Sequence, residues 1–444
     1  MSNSQWASRL GFILAAAGSA VGLGAIWKFP YVAGQNGGGA FLLLTFALIF
    51  SLGLCLLLVE MAIGRAAQRG ALRAFAALGP RGWSLLGWWG VVGGFVLFSF
   101  YSVVGGWTLA YVLKAFDGSI VTTDGERLGA IFGAFTADPV HSVAALAAFV
   151  GLTLAVVLGG VQKGIEAASK VLMPLLFLLM LVLIVRGLTL PGAAQGLRSF
   201  LAPDFGALHA AVVIDALGLA LFSLSTGIGA MLVYGSYVGP EIDLPRSAAW
   251  VVALTTLASV LGGLMVLPPV FALGMSPAQG PGLSYMVMPA VFAFLPAGQV
   301  FAVLFFVLLA VAALTSSISM LELVAASLGD RFGWRRGPVS IAVAVLVLLA
   351  GTPAALSFGI WNGWRIGGRT LFEAMDYLVS NIMLPLGGAG IALFACWVAW
   401  PQVRRALGAA EGAADGAGLR AVRIVAGIVA PAIILALWVA NLRG

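Results

Sequence analysis

Charged residues are scarce in this chain of 444 residues: Asp, Glu, Lys and Arg make up 9% of it, whereas soluble domains carry about 25%. That composition excludes a water-soluble fold. Cysteine is equally rare, since Cys55 and Cys396 are the only two and both lie in apolar runs, which excludes a disulfide framework and a Cys-rich metal site. Neither of the two histidines, His141 and His209, lies near a nucleophilic motif, so a membrane-embedded hydrolase is not favoured.

Apolar residues are abundant instead, at 61% of the chain. A helix needs about 20 apolar residues to cross a bilayer. Eleven such runs fall at about 10–33, 40–64, 85–113, 142–159, 166–187, 209–234, 248–273, 299–328, 338–356, 372–399 and 420–440. The 59 glycines fit the same class, because small residues let membrane helices pack closely. The sequence therefore predicts an all-α integral membrane protein with about eleven transmembrane helices.

The basic residues are distributed unevenly between the loops. With a cytoplasmic N-terminus, fifteen Lys and Arg residues lie on the cytoplasmic side and seven on the other. The positive-inside rule therefore predicts a cytoplasmic N-terminus and an extracytoplasmic C-terminus in the cell's inner (plasma) membrane. A signal peptide cleaved near 15–20 is disfavoured, because the apolar run continues past that point. The net charge of +7 does not indicate a nucleic-acid partner, because in a membrane protein the placement of Lys and Arg on one side explains their excess.

Two predicted spans contain a glycine- and serine-rich interruption. Residues 18–24 read Gly-Ser-Ala-Val-Gly-Leu-Gly in the first span, and residues 223–229 read Ser-Leu-Ser-Thr-Gly-Ile-Gly in the sixth. Such clusters free backbone groups that hydrocarbon cannot satisfy, so they must line a protein-enclosed cavity. One of them alone would favour a GxxxG packing face, but a pair five spans apart favours an inverted-repeat transporter.

This pairing predicts a five-plus-five inverted repeat with broken helices 1 and 6 and a binding site between the breaks. We expect repeat one at about 8–190, repeat two at about 200–400 and an extra helix at about 418–442, in a single transporter domain spanning 1–444. A channel is disfavoured, because no ring of charged residues supports a continuous polar pore. The sequence indicates a lipid bilayer as partner and gives no oligomeric state.

Several motifs, in order along the chain, resemble those of the neurotransmitter:sodium symporter family. They are Trp6–Gly11, Gly18–Tyr31, Asn36–Phe41, Glu60–Arg65, Lys163–Glu166, Ala202–Phe205, Leu314–Ser317 and Met375–Tyr377. They cover nearly the whole chain, and eleven spans are typical of the short bacterial branch that carries amino acids. The resemblance implies a leucine-transporter-like fold, no enzymatic activity and sodium-coupled symport of an amino-acid substrate.

The resemblance also implies a substrate site between the two breaks. Amide groups at the half-helix that starts near Gly22 to Gly24, with the Tyr101 hydroxyl, would bind the carboxylate. Carbonyls around Ala20 and Phe222, with the Ser225 region, would receive the ammonium group. The expected substrate-binding residues are Ala20, Gly22, Leu23, Gly24, Leu97, Tyr101, Phe222, Ser223, Ser225, Ile228, Ser316 and Met320. The side-chain pocket they form would be apolar and uncharged, so we expect neutral apolar L-amino acids, aliphatic or aromatic.

Two sodium sites are implied, and they differ in completeness. The second site would use oxygens of Gly18, Val21, Ala312, Thr315 and Ser316, which suit a hard cation. The first would use Ala20 and Ser223. However, the family's Asn in span one reads Ala25 here, and its Asn in span seven falls at Leu254 or Thr255. We therefore expect the first site to be weakened or absent, so that one or two Na+ ions are transported.

The missing ligands leave proton-coupled or uncoupled amino-acid exchange by the same fold as the alternative function. Chloride dependence is not expected, because the Gln that the chloride-dependent branch carries in span six reads Leu219.

The resemblance implies gates at both ends of the site. The gate residues are Lys28 and Asp376 at the outer end, and Asp330, Tyr237 and Trp6 at the inner end. Tyr101 and Phe222 would form an aromatic lid beneath the outer pair. The N-terminal Arg expected opposite Asp330 reads Asn3, so another partner for this acid, or a weaker inner gate, is predicted.

Span five contains a predicted site of local helix unwinding. The spacing of Gly164 and Pro174 resembles a site of local unwinding for water entry from the cytoplasm. Glu60 and Glu166 lie in or at the edge of spans, where carboxylates are costly. We expect both to hydrogen-bond unwound backbone.

Overall fold

Helices make up nearly all of the described chain. The computed structural model describes residues 5–274, 283–411 and 414–441, without the side chains of residues 27, 28, 31, 210, 283, 440 and 441. Within these ranges, nine helices are long and apolar enough to cross a membrane. They are span two (Gly39–Ala67), three (Arg81–Phe116), four (Pro139–Leu158), five (Val161–Leu188), seven (Leu244–Ala272), eight (Gly298–Phe332), nine (Arg336–Leu356), ten (Leu371–Val398) and eleven (Ala417–Val439).

Spans one and six are each built from shorter pieces. Span one comprises Arg9–Ala20, a π-helical turn Gly24–Lys28 and a last segment Phe29–Gln35. Span six comprises Ala210–Ser223 and Ala230–Ser236. With the nine continuous helices, these two interrupted spans give the eleven predicted crossings. The all-α fold with breaks in spans one and six is therefore confirmed, whereas the repeat boundaries near residues 190 and 200 stay a prediction.

Shorter elements that the apolar runs did not predict connect the spans. The connecting helices are Ala71–Leu78, Gly125–Ala137, Ala193–Leu201, Phe205–Ala207, Leu283–Val287, Met288–Ala293 and Trp400–Ala406. A two-stranded antiparallel hairpin, Arg365–Ile366 with Arg369–Thr370, joins spans nine and ten. Its turn residues Gly367 and Gly368 both have positive φ, which suits a tight hairpin turn. These elements escaped prediction because they are too short or too polar to resemble a crossing.

Local capping fixes where several spans begin and end. The Ser8 side chain accepts a hydrogen bond from the Gly11 amide at the start of Arg9–Ala20. Asp138 caps span four in the same way, with Pro139 in the first turn, where its missing N–H costs nothing. Span eight ends at Gly333, whose φ of 71° is readily adopted by glycine.

Spans three and eight pack against each other along the middle of the bundle. Close backbone approaches then surround the break in span six. A Cβ at Gly90 of span three would run into the Ile228 backbone, and one at Gly387 of span ten into the Gly227 carbonyl. These glycines let two further spans reach the interrupted backbone. We call the end of the bundle that carries residues 5–8 the N-terminal end, and the other the far end.

Candidate functional site

The break in span one exposes backbone amides to side chains from neighbouring spans. After Ala20 the helix is interrupted at Val21, with φ −83° and ψ 73°. The Leu23 amide then donates to the Tyr101 hydroxyl of span three over 3.3 Å. Gly22 is required here, because a Cβ would lie 3.0 Å from the Tyr101 hydroxyl oxygen and would overlap the Ser316 hydroxyl. The glycine cluster thus lets two side chains reach the interrupted main chain.

The break in span six is built differently. Ser225, Gly227 and Gly229 all have positive φ, at 51°, 101° and 88°. The buried Glu60 carboxylate of span two accepts hydrogen bonds from the Gly227 amide at 2.8 Å and the Met231 amide at 3.2 Å. The expected bonding of Glu60 to unwound backbone is confirmed. One carboxylate therefore satisfies the amides that this break frees.

The two breaks meet at the Ser19 carbonyl oxygen. This atom accepts a hydrogen bond from Ser225 of span six at 2.9 Å and from Ser316 of span eight at 3.0 Å. The Ser19 hydroxyl itself donates to the Ser319 hydroxyl at 2.6 Å. Spans one, six and eight are therefore joined at one buried point.

A cavity of about 30 Å³ lies beside this point. The structure brings almost all the predicted substrate residues to its wall, namely Ala20, Gly22, Leu23, Gly24, Leu97, Tyr101, Phe222, Ser225, Ile228, Ser316 and Met320. Ser223 is the one predicted member that does not line it. A volume of this size holds one or two water molecules, so a larger ligand requires the walls to move apart.

Sequence reasoning missed four residues of the wall: Ser19, Ala230, Ser319 and Leu384. Two signals were available. Ser19 lies inside the first glycine cluster, and Ser319 follows Ser316 by three residues, which places both on one face of a helix. Leu384 gave no signal, because an apolar residue in an apolar span is indistinguishable from packing.

The wall of this cavity is uncharged and offers two kinds of hydrogen-bonding group. The Leu23 amide and the Tyr101 hydroxyl can donate. The Ser19 carbonyl, which is bonded to the Ser225 hydroxyl, can accept. None of the described residues that line the cavity is charged. A ligand that brings both a negative and a positive group can be held there without an ionised side chain of the protein.

Most of the predicted second sodium ligands are also brought together. The Ser316 hydroxyl lies 3.4 Å from the Gly18 carbonyl oxygen, and the Thr315 hydroxyl donates to the Ala312 carbonyl at 3.0 Å. A Cβ at Gly18 would lie 3.2 Å from the Thr315 side chain, so span one approaches span eight closely here. Val21 lies in the break itself. These neutral oxygens fit a monovalent hard cation.

The predicted first sodium site keeps few oxygens. Ala25 is fully buried and apolar, and the Thr255 hydroxyl donates to the Val251 carbonyl of its own helix at 2.9 Å. The buried Ser223 hydroxyl has no hydrogen-bond partner among the described residues. The hydroxyls of Ser223 and Thr255 are thus the side-chain oxygens that the expected ligand positions keep here, and Ala25 contributes none.

A second, larger cavity of about 400 Å³ lies on the far-end side of the first. Phe222 and Leu384 line both cavities and so form the partition between them. Polar side chains line the larger one: Gln35, Asn36, Asp215, Ser380 and Asn381. The Asp376 carboxylate accepts a hydrogen bond from Ser380 at 2.7 Å. The side chain of its predicted partner Lys28 lies outside the described residues, so that ion pair stays a prediction.

The predicted inner-gate residues form two separate networks at the N-terminal end. Asp330 accepts hydrogen bonds from Arg69 at 3.5 Å and from the Gly70 amide at 3.1 Å. The missing partner of Asp330 is therefore found in the loop after span two. Trp6 belongs to the second network. Its indole N–H donates to the Tyr234 carbonyl at 3.0 Å, and its backbone amide donates to the Tyr237 carbonyl at 3.1 Å.

Tyr237 extends this second network into spans eight and nine. Its hydroxyl donates to the buried Glu322 carboxylate at 2.6 Å. The other Glu322 oxygen lies 2.6 Å from the Arg336 guanidinium. Tyr237 is thus tied to an ion pair of spans eight and nine that the sequence did not reveal.

Span five is helical in this structure where unwinding was expected. Gly164 lies in a π-helical turn, Val161–Glu166, and Pro174 lies within the following α-helix, Ala167–Leu188. A Cβ at Gly164 would run into the Val156 carbonyl, so the turn is packed tightly onto the end of span four. The unwound form is therefore not the one seen here and stays a prediction for another conformation.

Known proteins match this chain over nearly its whole length. The model of the sodium:neurotransmitter symporter family matches residues 3–126 and 138–437. A protein of Bacillus subtilis (strain 168) named "Uncharacterized sodium-dependent transporter YhdH" is 44% identical over 391 residues, 88% of this chain and 87% of that protein. The sodium- and chloride-dependent taurine transporter of Bos taurus is 26% identical over 452 residues, 89% of this chain and 71% of that protein.

A solved structure resembles the fold as a whole. The crystal structure of MhsT in complex with L-phenylalanine superimposes with a TM-score of 0.90 and 40% sequence identity, covering 98% of this chain and 99% of that one. This match confirms the leucine-transporter-like arrangement of two inverted five-span repeats. The matching family consists of membrane-embedded, sodium-coupled transporters of small molecules and not of enzymes. On this evidence the chain belongs to the sodium:neurotransmitter symporter family.

Proposed function

We propose that this chain takes up neutral apolar L-amino acids, aliphatic or aromatic, together with sodium by alternating access. The observation that carries the proposal is the uncharged cavity between the two breaks, whose wall offers both hydrogen-bond donors and an acceptor. An amino acid is a zwitterion, and each of its charges needs a partner in a buried site. The Leu23 amide and Tyr101 hydroxyl suit the carboxylate, and the Ser19 carbonyl with Ser225 suits the ammonium group.

The side chain of the substrate would face Leu97, Ile228 and Met320. These residues are apolar, so a charged side chain would be buried without a counter-ion. The solved relative with bound L-phenylalanine supports an apolar aromatic substrate. Because the cavity has only about 30 Å³, aromatic substrates require Phe222 and its neighbours to move further than aliphatic ones do.

We assign one sodium ion to the transport cycle, bound at Gly18, Val21, Ala312, Thr315 and Ser316. It would tie span one to span eight, so its departure would free the N-terminal half of span one to move. The first site, near Ala20 and Ser223, lacks the oxygens that a tight cation site needs. Leu219 leaves no amide for chloride in span six, so we propose chloride-independent transport.

The proposed orientation is inferred from the excess of Lys and Arg on one side of the membrane. It places the N-terminal end in the cytoplasm and the far end outside the cell's inner membrane. The 400 Å³ cavity would then be the entry vestibule, with Phe222 and Tyr101 as its lid and Lys28 with Asp376 as the outer pair. Asp330, Tyr237 and Trp6 would hold the inner end closed. Unwinding between Gly164 and Pro174 would admit water on the cytoplasmic side.

The test is uptake of radiolabelled L-phenylalanine and L-leucine into proteoliposomes with an imposed sodium gradient. We expect uptake with external sodium and almost none when potassium or choline replaces it. Excess chloride or its replacement by gluconate should change nothing. Undiminished uptake without sodium would overturn the symport proposal, and uptake driven instead by a proton gradient would establish the proton-coupled alternative.

A further inference from the structure

The residues before span one are bonded to the start of span five. Glu166 accepts a hydrogen bond from the Ala7 amide at 2.7 Å and another from the Ser8 hydroxyl at 2.8 Å. Four residues earlier in span five, the Gln162 side chain donates to the Gln5 carbonyl at 2.8 Å. One turn of span five therefore binds three positions of the N-terminal segment, Gln5, Ala7 and Ser8.

These bonds hold the first half of span one, Arg9–Ala20, as well as the residues that precede it. Ser8 also caps Arg9–Ala20 by accepting a hydrogen bond from the Gly11 amide at 3.0 Å. A Cβ at Gly11 would occupy the position of the Glu166 carboxylate, so the carboxylate lies directly against the first turn of the helix. The half-helix that ends at the substrate cavity is thus anchored at its other end by Glu166.

The electrostatics of this anchor are favourable. The Glu166 carboxylate is 1% exposed and lies at the N-terminal end of a helix, where the helix dipole favours negative charge. Lys170, one turn later, places its ammonium group 2.7 Å from the carboxylate. Hydrogen bonds to an ionised acceptor are stronger than neutral ones, so the anchor binds more firmly than an amide would.

The turn that carries Glu166 departs from regular α-helical geometry. It is a π-helical turn, Val161–Glu166, preceded by Gly160 with φ 80°. Such turns are rare and frequently lie at functional sites. By contrast, the span-eight acid Asp330 is bonded to Arg69 and Gly70, and to none of the described residues of the N-terminal segment.

We propose that Glu166 is a positioning residue of the transport cycle: it holds the first half of span one against span five, so that the N-terminal end of the site opens only when the turn Val161–Glu166 moves. This inference rests on the alternating access proposed above. It predicts that loss of the carboxylate favours the form that is open at the N-terminal end, without any change in the cavity wall.

The test uses Ala17→Cys as a reporter, since Ala17 is fully buried on the half-helix. Its labelling by a water-soluble methanethiosulfonate is followed in detergent, with the reporter-free protein as the baseline for Cys55 and Cys396. We expect Glu166→Ala to label about tenfold faster and to bind L-phenylalanine several-fold more weakly, as loss of a charged hydrogen-bond acceptor implies. Glu166→Gln, which keeps one acceptor oxygen, should lie between Ala and the native residue.

Two controls separate this effect from general loosening. Lys170→Met removes the ion pair but keeps the hydrogen bonds, and should change labelling less than twofold. Glu411→Ala removes an exposed acid at the same end and should change nothing. If Glu166→Ala does not fold, Ser8→Ala and Glu166→Gln give the same comparison.

Unchanged labelling in Glu166→Ala and Glu166→Gln, or equal acceleration in Glu411→Ala, would overturn the proposal. The readout is independent of the substrate assignment. A native protein that binds no neutral amino acid would refute the proposed function, while faster labelling of the Glu166 variants would still establish the anchor.

Discussion

The breaks in spans one and six occupy corresponding places in the two repeats, yet their freed amides have different partners. In span one the Leu23 amide donates to a phenolic hydroxyl, that of Tyr101. In span six the amides of Gly227 and Met231 are bonded to the Glu60 carboxylate. The Glu60 carboxyl group already occupies these donors of the second break.

This difference indicates that the two breaks have different functions. An amide bonded to a hydroxyl can exchange that partner for an anion, whereas the amides bonded to the buried Glu60 carboxyl group are not available to a second carboxylate. The substrate carboxylate is therefore directed to span one. Span six supplies hydrogen-bond acceptors and is held in place by Glu60. We therefore expect substitutions there to lower mainly the stability of the protein, and substitutions in span one to lower mainly its affinity for substrate.

The largest effect is expected from Glu60→Ala. It leaves the buried amides of Gly227 and Met231 without partners, each at a cost of about 1–3 kcal/mol. Thermal unfolding in detergent should shift sharply downward and transport should be lost. Glu60→Gln, which keeps one acceptor, should be intermediate. A variant Glu60→Ala with native unfolding temperature would show that span six does not depend on this carboxylate.

A matched pair of glycine substitutions sharpens the comparison. Gly22→Ala should abolish L-phenylalanine binding with little loss of stability, because the new Cβ overlaps the Ser316 hydroxyl at the cavity wall. Gly227→Ala should instead destabilise the protein, since its φ of 101° and its contact with the Leu384 carbonyl exclude a Cβ. Gly151→Ala, with open space around it, is the control for both. Equal loss of stability in Gly22→Ala and Gly227→Ala would contradict the view that span one acts mainly on binding and span six mainly on stability.

The combined variant Thr315→Ala and Ser316→Ala tests the ion assigned to span one. The Ser316 hydroxyl near the Gly18 carbonyl and the Thr315 hydroxyl near the Ala312 carbonyl both disappear. We therefore expect substrate affinity to become independent of sodium and at least tenfold weaker than in the native protein with sodium. Ser317→Ala on the same helix, whose hydroxyl bonds to Leu314 and Thr153, is the control. Binding measured across a range of sodium concentrations decides the point, and preserved sodium dependence would refute this site.

The smallest effect is expected from Tyr101→Phe. It removes one hydroxyl from the proposed carboxylate site while the ring remains in place, and a hydrogen bond to a charged group corresponds to a loss of about tenfold or somewhat more in affinity. Unfolding temperature should be nearly native. Competition binding of L-phenylalanine provides the measurement, and an affinity equal to that of the native protein would remove Tyr101 from the site.

The sequence predicted the breaks because glycine and serine in an apolar span are conspicuous and carry a physical meaning. Most residues of the cavity wall were expected only because the chain's motifs resemble those of the family. The sequence did not predict the partner of Asp330, since Arg69 is 261 residues away and only the fold brings the two together. Leu384 was missed because apolar contacts carry no distinctive pattern. The ends of spans three and eight extend beyond the predicted runs, since hydropathy reports the hydrocarbon thickness and not the polar turns that continue a helix.

The most direct test of the account compares L-phenylalanine with two analogues that each lack one charge, binding to the native protein in sodium. L-Phenylalaninamide lacks the carboxylate that the span-one break should bind, and 3-phenylpropionate lacks the ammonium group assigned to Ser19 and Ser225. The account predicts that both analogues bind at least a hundredfold more weakly than L-phenylalanine, since each leaves buried polar groups unpaired. Binding of either analogue as tight as that of the amino acid would contradict the claim that the two breaks hold a zwitterion.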